Sequence, residues 1–176
     1  MTGNTENARL WADADVYVTP DLAATEPATV DTAFAAAWGL VGLLNGEEGF
    51  TTAREEETND HFAWGGILVR TSRRNFKLTR TFVALEDNAT TRSLIWPGSP
   101  AGKLIVPRPV PVKVAFETRD GETKRRLITK RYAVITVDGD ETENETDLTS
   151  VTLLATIYPT ATGELFTEQK SDEEGD

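Results

Sequence analysis

Apolar and polar residues alternate with a period of two along much of the chain after residue 50. This alternation restricts the fold more than any other feature of the sequence. Four apolar residues share one face of the clearest segment: Phe76, Leu78, Phe82 and Ala84. Arg80 occupies the same face and is the exception among them. Because every second side chain of a β-strand points to the same side, the pattern predicts strands and a mainly β fold.

Glycine and proline residues divide the rest of the chain into short segments. Residues 110–117 predict a strand with one buried and one solvent-exposed face. Asp120-Gly121 predicts a hairpin turn after it, and residues 122–137 form the second half of that hairpin. A final strand is predicted at residues 151–158. Helical patterns occupy residues 29–44 and 89–95. The predicted architecture is a single-domain β-sandwich or partial barrel of about seven or eight strands with one or two short flanking helices.

Residues 51–60, TTAREEETND, form an extended pattern in which neither face is apolar. Such a segment cannot bury itself in its own domain. We interpret it as a solvated loop or as a projecting arm that finds partners on another chain. Trp38 and Trp64, by contrast, are expected to pack in the domain, and the polar residues 167–176 are expected to be disordered.

The formal net charge of -11 is unevenly distributed. Residues 1–65 contain two Lys/Arg and twelve Asp/Glu, residues 66–135 contain fifteen and five, and residues 136–176 contain one and twelve. A basic middle between acidic ends can pair with itself. The pairing takes place either within a subunit, where neighbouring strands bring opposite charges together, or between copies.

The composition excludes several kinds of site. The chain has no cysteine and one histidine, His61, which excludes thiolate chemistry and multi-histidine zinc sites. The adjacent carboxylates at residues 55–57 point to alternate faces, and nothing apolar nearby would raise a pKa for acid–base work. The acidity of the whole chain argues against direct nucleic-acid binding by its basic residues. We expect no enzyme, no cofactor and no metal, and the N-terminal residues predict no secretory leader.

Five segments in order carry a resemblance to a known family: WGLVGLLNGEEGF at residues 38–50, HFAWGGILVR at 61–70, RNFKLTRTF at 74–82, LEDN at 85–88 and LIWPG at 94–98. Over about residues 15–160 the chain resembles the major tail protein, the tail tube subunit, of long non-contractile-tailed phages, particularly those that infect actinobacteria. The resemblance rests on the combined order and spacing of these segments, because none of them is catalytic.

The resemblance implies a small β-sandwich, residues 15–160, between an N-terminal arm, residues 1–14, and an acidic C-terminal tail, residues 161–176. Six copies would close into a ring, and rings would stack into the tail tube that delivers the genome. A projecting arm, about residues 50–75, would contact the adjacent ring. The candidate inter-ring contacts are Arg54, Glu55, Glu56, Glu57, Arg73 and Arg74.

The same resemblance implies the partners and the location. The chain would bind itself, a tape measure protein inside the tube, and tail-terminator and tail-tip proteins at its ends. DNA would pass transiently, no membrane would be involved, and the virion tail would be assembled in the host cytoplasm. Two alternatives stay open from the residues: a monomeric β-barrel binding module for a small ligand or nucleic acid, and a hydrolase that uses residues 55–57 or His61.

Overall fold

The computed structural model describes residues 8–141 and 143–171, which form nine β-strands and one short α-helix. The prediction of a mainly β fold is confirmed, with more strands than the seven or eight expected. The elements in chain order are β1 (Asp13–Thr19), β2 (Gly39–Leu40), β3 (Thr51–Ala63), β4 (Ile67–Ala84), α1 (Ala89–Ile95), β5 (Pro111–Asp120), β6 (Thr123–Thr129), β7 (Tyr132–Val137), β8 (Val151–Tyr158) and β9 (Phe166–Lys170).

All nine strands belong to one antiparallel sheet that does not close into a barrel. Its main path runs β2-β1-β5-β7-β8-β4-β3, and β6 and β9 continue from β5 on a side branch. The first two residues of β5, Pro111 and Val112, pair with β7, whereas residues 115–120 pair with β6. Strand β5 therefore joins two halves of the sheet, which can fold over each other.

The hydrophobic core lies between these two halves. Phe82 on β4 and Phe116 on β5 meet edge to face, with ring centroids 6.0 Å apart, although two strands separate β4 from β5 in the sheet. Phe50 and Phe166 add further edge contacts to the Phe116 ring. Burying each such ring stabilises the fold by roughly 1.5–3 kcal/mol.

The prediction that β5 has one solvent-exposed face is wrong. Residues 112–117 are all buried, because the segment before β2 covers the second face of the strand. Ala115 packs there in a small cluster with Trp38, so the prediction that Trp38 is packed is confirmed. Lys113 and Glu117 also lie on β5 and are buried beside oppositely charged partners.

The predicted helix at residues 29–44 is absent, and turns and the short strand β2 occupy this segment. Phe34 stacks on Tyr17 of β1 at 4.2 Å between ring centroids, and the indole N–H of Trp38 donates to the carbonyl of Thr25. These contacts tie the segment to β1. Gly42, at φ +96°, takes a backbone conformation that does not occur inside a helix.

The second predicted helix is confirmed as α1. Asn88 precedes it, and its side-chain oxygen accepts from the backbone N–H groups of Thr90 and Thr91 at 2.9 and 3.0 Å. This arrangement satisfies two of the donors that a helix leaves free at its N-terminus. The strand at residues 151–158 is confirmed as β8.

The hairpin turn at residues 120–121 is also confirmed, with Gly121 at φ +58° between β5 and β6. The run at residues 122–137 is not one strand, since it divides into β6 and β7. The prediction of disorder is wrong for residues 167–171: residues 167–170 belong to β9 and pair with β6, and the Ser171 backbone N–H donates to the carbonyl of Lys124. The other residues of that prediction, 172–176, lie outside the described residues, as do residues 1–7 of the predicted N-terminal arm.

Candidate assembly surfaces

Strands β3 and β4 form a hairpin whose outer part projects from the rest of the subunit, which we call the body. Only residues 78–84 of β4 pair with β8, whereas residues 67–77 pair with β3 alone among the described strands. We call residues 55–77 the arm. Its nine positions on β3, residues 55–63, span about 30 Å at about 3.3 Å each. Every residue of β3 is exposed.

The predicted inter-ring residues lie on the arm or at its base, and three of them, Glu55, Glu56 and Arg73, form ion pairs within it. Glu55 Oε2 lies 3.7 Å from Lys77 Nζ, and Glu56 Oε2 lies 3.6 Å from an Arg73 guanidinium nitrogen. All four side chains are well exposed. Exposed pairs of this kind contribute about 0–1 kcal/mol each, so these charges do little to hold the hairpin together.

The remaining predicted residues flank a β-bulge. Arg54 lies opposite Leu78 at the base, and Glu57 lies opposite Arg74 beyond the bulge. The Asn75 side chain donates to Glu57 Oε2 at 2.7 Å, and Asn75 itself has a positive φ of 56°. A bulge increases strand twist and turns the outer arm relative to the base.

The two strands of the arm have opposite charge. On β3 lie four carboxylates and one arginine, whereas residues 67–77 carry four cations and no carboxylate. Each strand also has one edge that no described strand pairs. The arm therefore has an acidic edge and a basic edge, both with free backbone donors and acceptors. Such edges are templates for pairing with another chain.

The tip of the arm is apolar. Gly65 and Gly66, at φ +88° and +77°, make the turn between the two strands. The prediction that Trp64 packs against the sandwich is wrong, because its relative exposure is 102%. The exposed apolar side chains of the tip are Phe62, Trp64, Ile67, Leu68 and Val69. A cluster of large exposed apolar residues marks an interaction surface.

His61 is exposed on the arm, with Nε2 3.3 Å from the Ser72 hydroxyl. The neighbouring Thr71 hydroxyl donates to Asp60. These polar contacts join the two strands of the hairpin. Within the described ranges, no three His, Asp or Glu side chains come together as a metal site, and no helix has the length and apolarity to cross a membrane.

Several cations of the body are paired within the subunit. The Arg126 guanidinium lies 2.5 Å from Glu117 with both groups buried, and it stacks over the Phe34 ring at 4.4 Å. Further pairs bring the basic middle of the chain together with its acidic ends: Lys113–Glu26, Lys124–Asp31 and Arg125–Glu168. Of the two interpretations of the charge pattern, pairing within a subunit or between copies, the first accounts for these residues.

Arg119 is the centre of another such group. Its guanidinium contacts Asp13 at 2.6 Å and Asp15 at 2.7 Å, and it also contacts Glu117. Burial alone would lower the pKa of Arg119, but the bonds to Asp13 and Asp15 outweigh it and raise that pKa. The bond from Arg119 is the main cause that lowers the pKa of Asp13.

A cavity of about 720 Å³ opens at the base of the arm. It lies between the start of β1, the loop before β3, and β6. Most of its large side chains are apolar, and they include Leu10, Leu40, Leu43, Phe50, Phe116 and Leu127. A volume of this size lies in the usual range of ligand cavities.

Arg80 extends into this cavity from the core face of β4. Its guanidinium carbon lies 4.8 Å from the centroid of the Phe50 ring and 4.7 Å from that of Phe116. Nε is buried and has no hydrogen-bond partner among the described residues. Burial, and then the nearby Arg125 cation, lower the pKa of Arg80 to about 10. The side chain remains a cation at neutral pH.

The sequence contained a signal for Arg80, namely a cation in the apolar register of a strand, but it gave no reason to expect a cavity. The cavity depends on residues that are distant in sequence, from Leu10 to Leu127. In comparisons with known proteins, no family model matches the chain and no curated protein matches it significantly.

Proposed function

We propose that this chain is a structural virion protein that assembles into hexameric rings, which stack into a phage tail tube. The tube would be the conduit for genome delivery, and the chain would have no catalytic activity. The arm is the observation that supports this function best. It extends about 30 Å from the body, has no hydrophobic core of its own, and has an unpaired acidic and an unpaired basic edge.

An isolated two-stranded hairpin is marginally stable in water at best. A long hairpin with an exposed apolar tip is therefore expected to gain its stability from a partner. The opposite charges of β3 and residues 67–77 favour another copy of the same arm, because the acidic edge of one arm complements the basic edge of the next. Contacts of this kind join different surfaces of identical subunits, and they generate closed rings or open filaments.

The proposed assembly extends to other proteins of the virion. A tape measure protein would occupy the tube before DNA passes, and tail-terminator and tail-tip proteins would bind its two ends. For DNA to pass without sticking, the inner wall needs few free cations, because phosphate binding by Lys and Arg releases counterions. The ion pairs of Arg119, Arg125 and Arg126 within the body are consistent with such a wall.

The experiment for this proposal is sedimentation velocity across a concentration series, combined with negative-stain electron microscopy. Rings or tubes of uniform diameter support the proposal. A subunit that stays monomeric at all concentrations contradicts it.

The alternative function is a monomeric binding module for a small ligand or nucleic acid, and the cavity beside Arg80 is the observation that favours it. The same experiment distinguishes the two functions. A strictly monomeric protein that retains a labelled oligonucleotide or a small anionic ligand would support the alternative.

A further inference from the structure

The cavity at the base of the arm holds a cation without a counter-charge. Apart from the two phenyl rings, the Arg80 side chain contacts no ion-pair or hydrogen-bond partner among the described residues. The carboxylates that line the same cavity are already engaged: Asp13 and Asp15 are paired elsewhere, and Glu86 accepts from a backbone N–H. Removing a charge from water without a partner is costly, so this cation favours binding of an anion.

The lining restricts the kind of anion. Leucine and phenylalanine side chains surround the Arg80 guanidinium, and Leu43 at the mouth is 70% exposed. A guanidinium presents a planar fork of donors that fits a carboxylate. The site therefore suits a carboxylate with an apolar group beside it.

A segment with this chemistry is the loop that joins β7 to β8. Along the pairing of β4 with β8, Leu78 at the base of the arm faces Ile157, and Ala84 at the far end faces Val151. Residues 138–141 and 143–150 belong to the loop between β7 and β8 at that far end. Its described carboxylates form no ion pair with any described residue, and they are Asp138, Asp140, Glu141, Glu143, Glu145 and Asp147.

Asp147 has an apolar neighbour in this loop. Leu148 follows it and is 78% exposed. The Asn144 side chain accepts from the backbone N–H groups of Thr146 and Asp147 at 2.8 and 2.7 Å, which orders the loop at this point. A carboxylate and an exposed leucine are thus held side by side on a surface that faces away from the arm.

We propose that the cavity around Arg80 receives the loop at residues 143–148 of a second copy. A loop carboxylate would pair with the Arg80 guanidinium, and Leu148 would fill the apolar mouth. The contact joins two different surfaces of the subunit, so it generates either a closed ring or an open filament. This inference rests on the self-assembly proposed above and identifies one contact in it.

The absence of cysteine from the chain allows a direct test by disulfide cross-linking. A Leu43→Cys protein is mixed with a Leu148→Cys protein under assembly conditions and a mild oxidant is added. The inference expects disulfide-linked heterodimers. The matched control replaces Leu43→Cys by Leu104→Cys, an exposed leucine outside the cavity. Cross-linking at or below the control level in assembled material would overturn the inference.

A double-mutant cycle tests the charge contact. The variants are Arg80→Met, a loop variant that combines Glu145→Gln with Asp147→Asn, and their combination. Each should raise the assembly concentration at least tenfold, equivalent to about 1.4 kcal/mol, and the combination should add little, because both remove the same contact. Fully additive effects, or no effect of Arg80→Met, would overturn the inference.

Two controls separate the outcomes. The Arg80→Met monomer should melt at or above the wild-type temperature, since an unpaired, partly buried cation is removed, so its assembly defect cannot come from unfolding. Decanoate tests whether the cavity binds a free fatty carboxylate instead of a loop. If decanoate binds the wild-type protein but not Arg80→Met, and the loop variant still assembles normally, the occupant of the cavity is not the loop of a second copy. A wild-type protein that never assembles contradicts the proposed function, whereas assembly unaffected by either variant contradicts this inference alone.

Discussion

The two parts of β4 show how one strand can be held by different means. Residues 78–84 lie between β3 and β8, and Leu78, Phe82 and Ala84 belong to the hydrophobic core. Residues 67–77 continue the same strand, yet they pair only with β3 and are almost entirely exposed. The strand is continuous, but the burial ends at Leu78.

This difference separates what folds the subunit from what is available for assembly. The inner part of β4 gains its stability from apolar burial inside one chain. The outer part gains only a backbone ladder and exposed ion pairs, which contribute little. Substitutions in the inner part should therefore change the free energy of unfolding of the monomer, whereas equal substitutions in the arm should change association.

The largest expected difference is between two phenylalanines on this strand, six residues apart. Phe82→Ala removes a fully buried ring and should lower the free energy of unfolding by about 3–5 kcal/mol. Phe76→Ala removes a ring that is 45% exposed on the arm and should cost less than about 1 kcal/mol. Urea unfolding of the dissociated monomer measures both. Similar losses from the two variants would show that the arm is part of the core.

A comparison of two ion pairs should give the next largest difference. Arg126→Met leaves Glu117 buried with one cation fewer and should cost about 3 kcal/mol. Arg73→Met breaks the exposed pair with Glu56 on the arm and should cost about 0–1 kcal/mol. Thermal and urea unfolding check the order. An equal cost for the two would mean that the exposed pair is shielded from water in the monomer.

The strands could be predicted where the pattern is local. The alternation in β4, the helix cap at Asn88 and the run that forms β8 all depend on residues that are close in sequence. The burial of the second face of β5 could not be predicted. A lysine such as Lys113 is expected to face solvent, and its partner Glu26 is 87 positions away in the sequence. Strand β9 was missed for the same reason, since Glu168 meets Arg125 across 43 positions.

The tip of the arm shows a different limit of the sequence. Phe62 and Trp64 are large apolar residues of the kind usually found in a core. The sequence shows that they are apolar, but it does not show whether the same subunit or a partner covers them. The same limit applies to Arg80: the alternation placed it on the core face, but the cavity that receives it is built by distant loops. The polar pattern of residues 51–60 was informative because no arrangement within one subunit could bury it.

The pH dependence of stability tests an ion pair of the body, that of Glu168 with Arg125, in the same way. Burial acts to raise the pKa of Glu168, but the bonds from Arg125 and Lys170 outweigh it, and the pKa lies below its usual 4.5. A carboxylate with a lowered folded pKa contributes stability above its unfolded value, and this stability is lost as the pH falls through the folded value. Glu168→Gln should therefore flatten the loss of stability below pH 4.5, by at most about 1 kcal/mol because the pair is partly exposed. Urea unfolding of both proteins between neutral and acid pH measures the difference, and identical acid slopes would show that this pair does not contribute.

The smallest effect on the monomer is expected where the effect on assembly is greatest. Replacing Arg54, Glu55, Glu56 and Glu57 together by serine removes three of the four carboxylates of the acidic edge and touches no buried side chain. The unfolding free energy should change by less than about 1 kcal/mol, since exposed positions are involved, while rings and tubes should fail to form because the basic edge of the next arm loses its partner. Circular dichroism, unfolding and sedimentation velocity measure these properties.

The control for that variant makes the same change of charge on the body. Glu47, Glu48, Asp87 and Lys103 are exposed, lie off the arm, and also comprise three carboxylates and one cation. Their joint replacement by serine should leave both folding and assembly unchanged. If the control stops assembly as fully as the arm variant does, total charge rather than the acidic edge governs association. If the arm variant forms normal tubes, its charges have no part in the contact, and the apolar tip around Trp64 becomes the surface to substitute, because it is the other part of the arm that the subunit leaves uncovered.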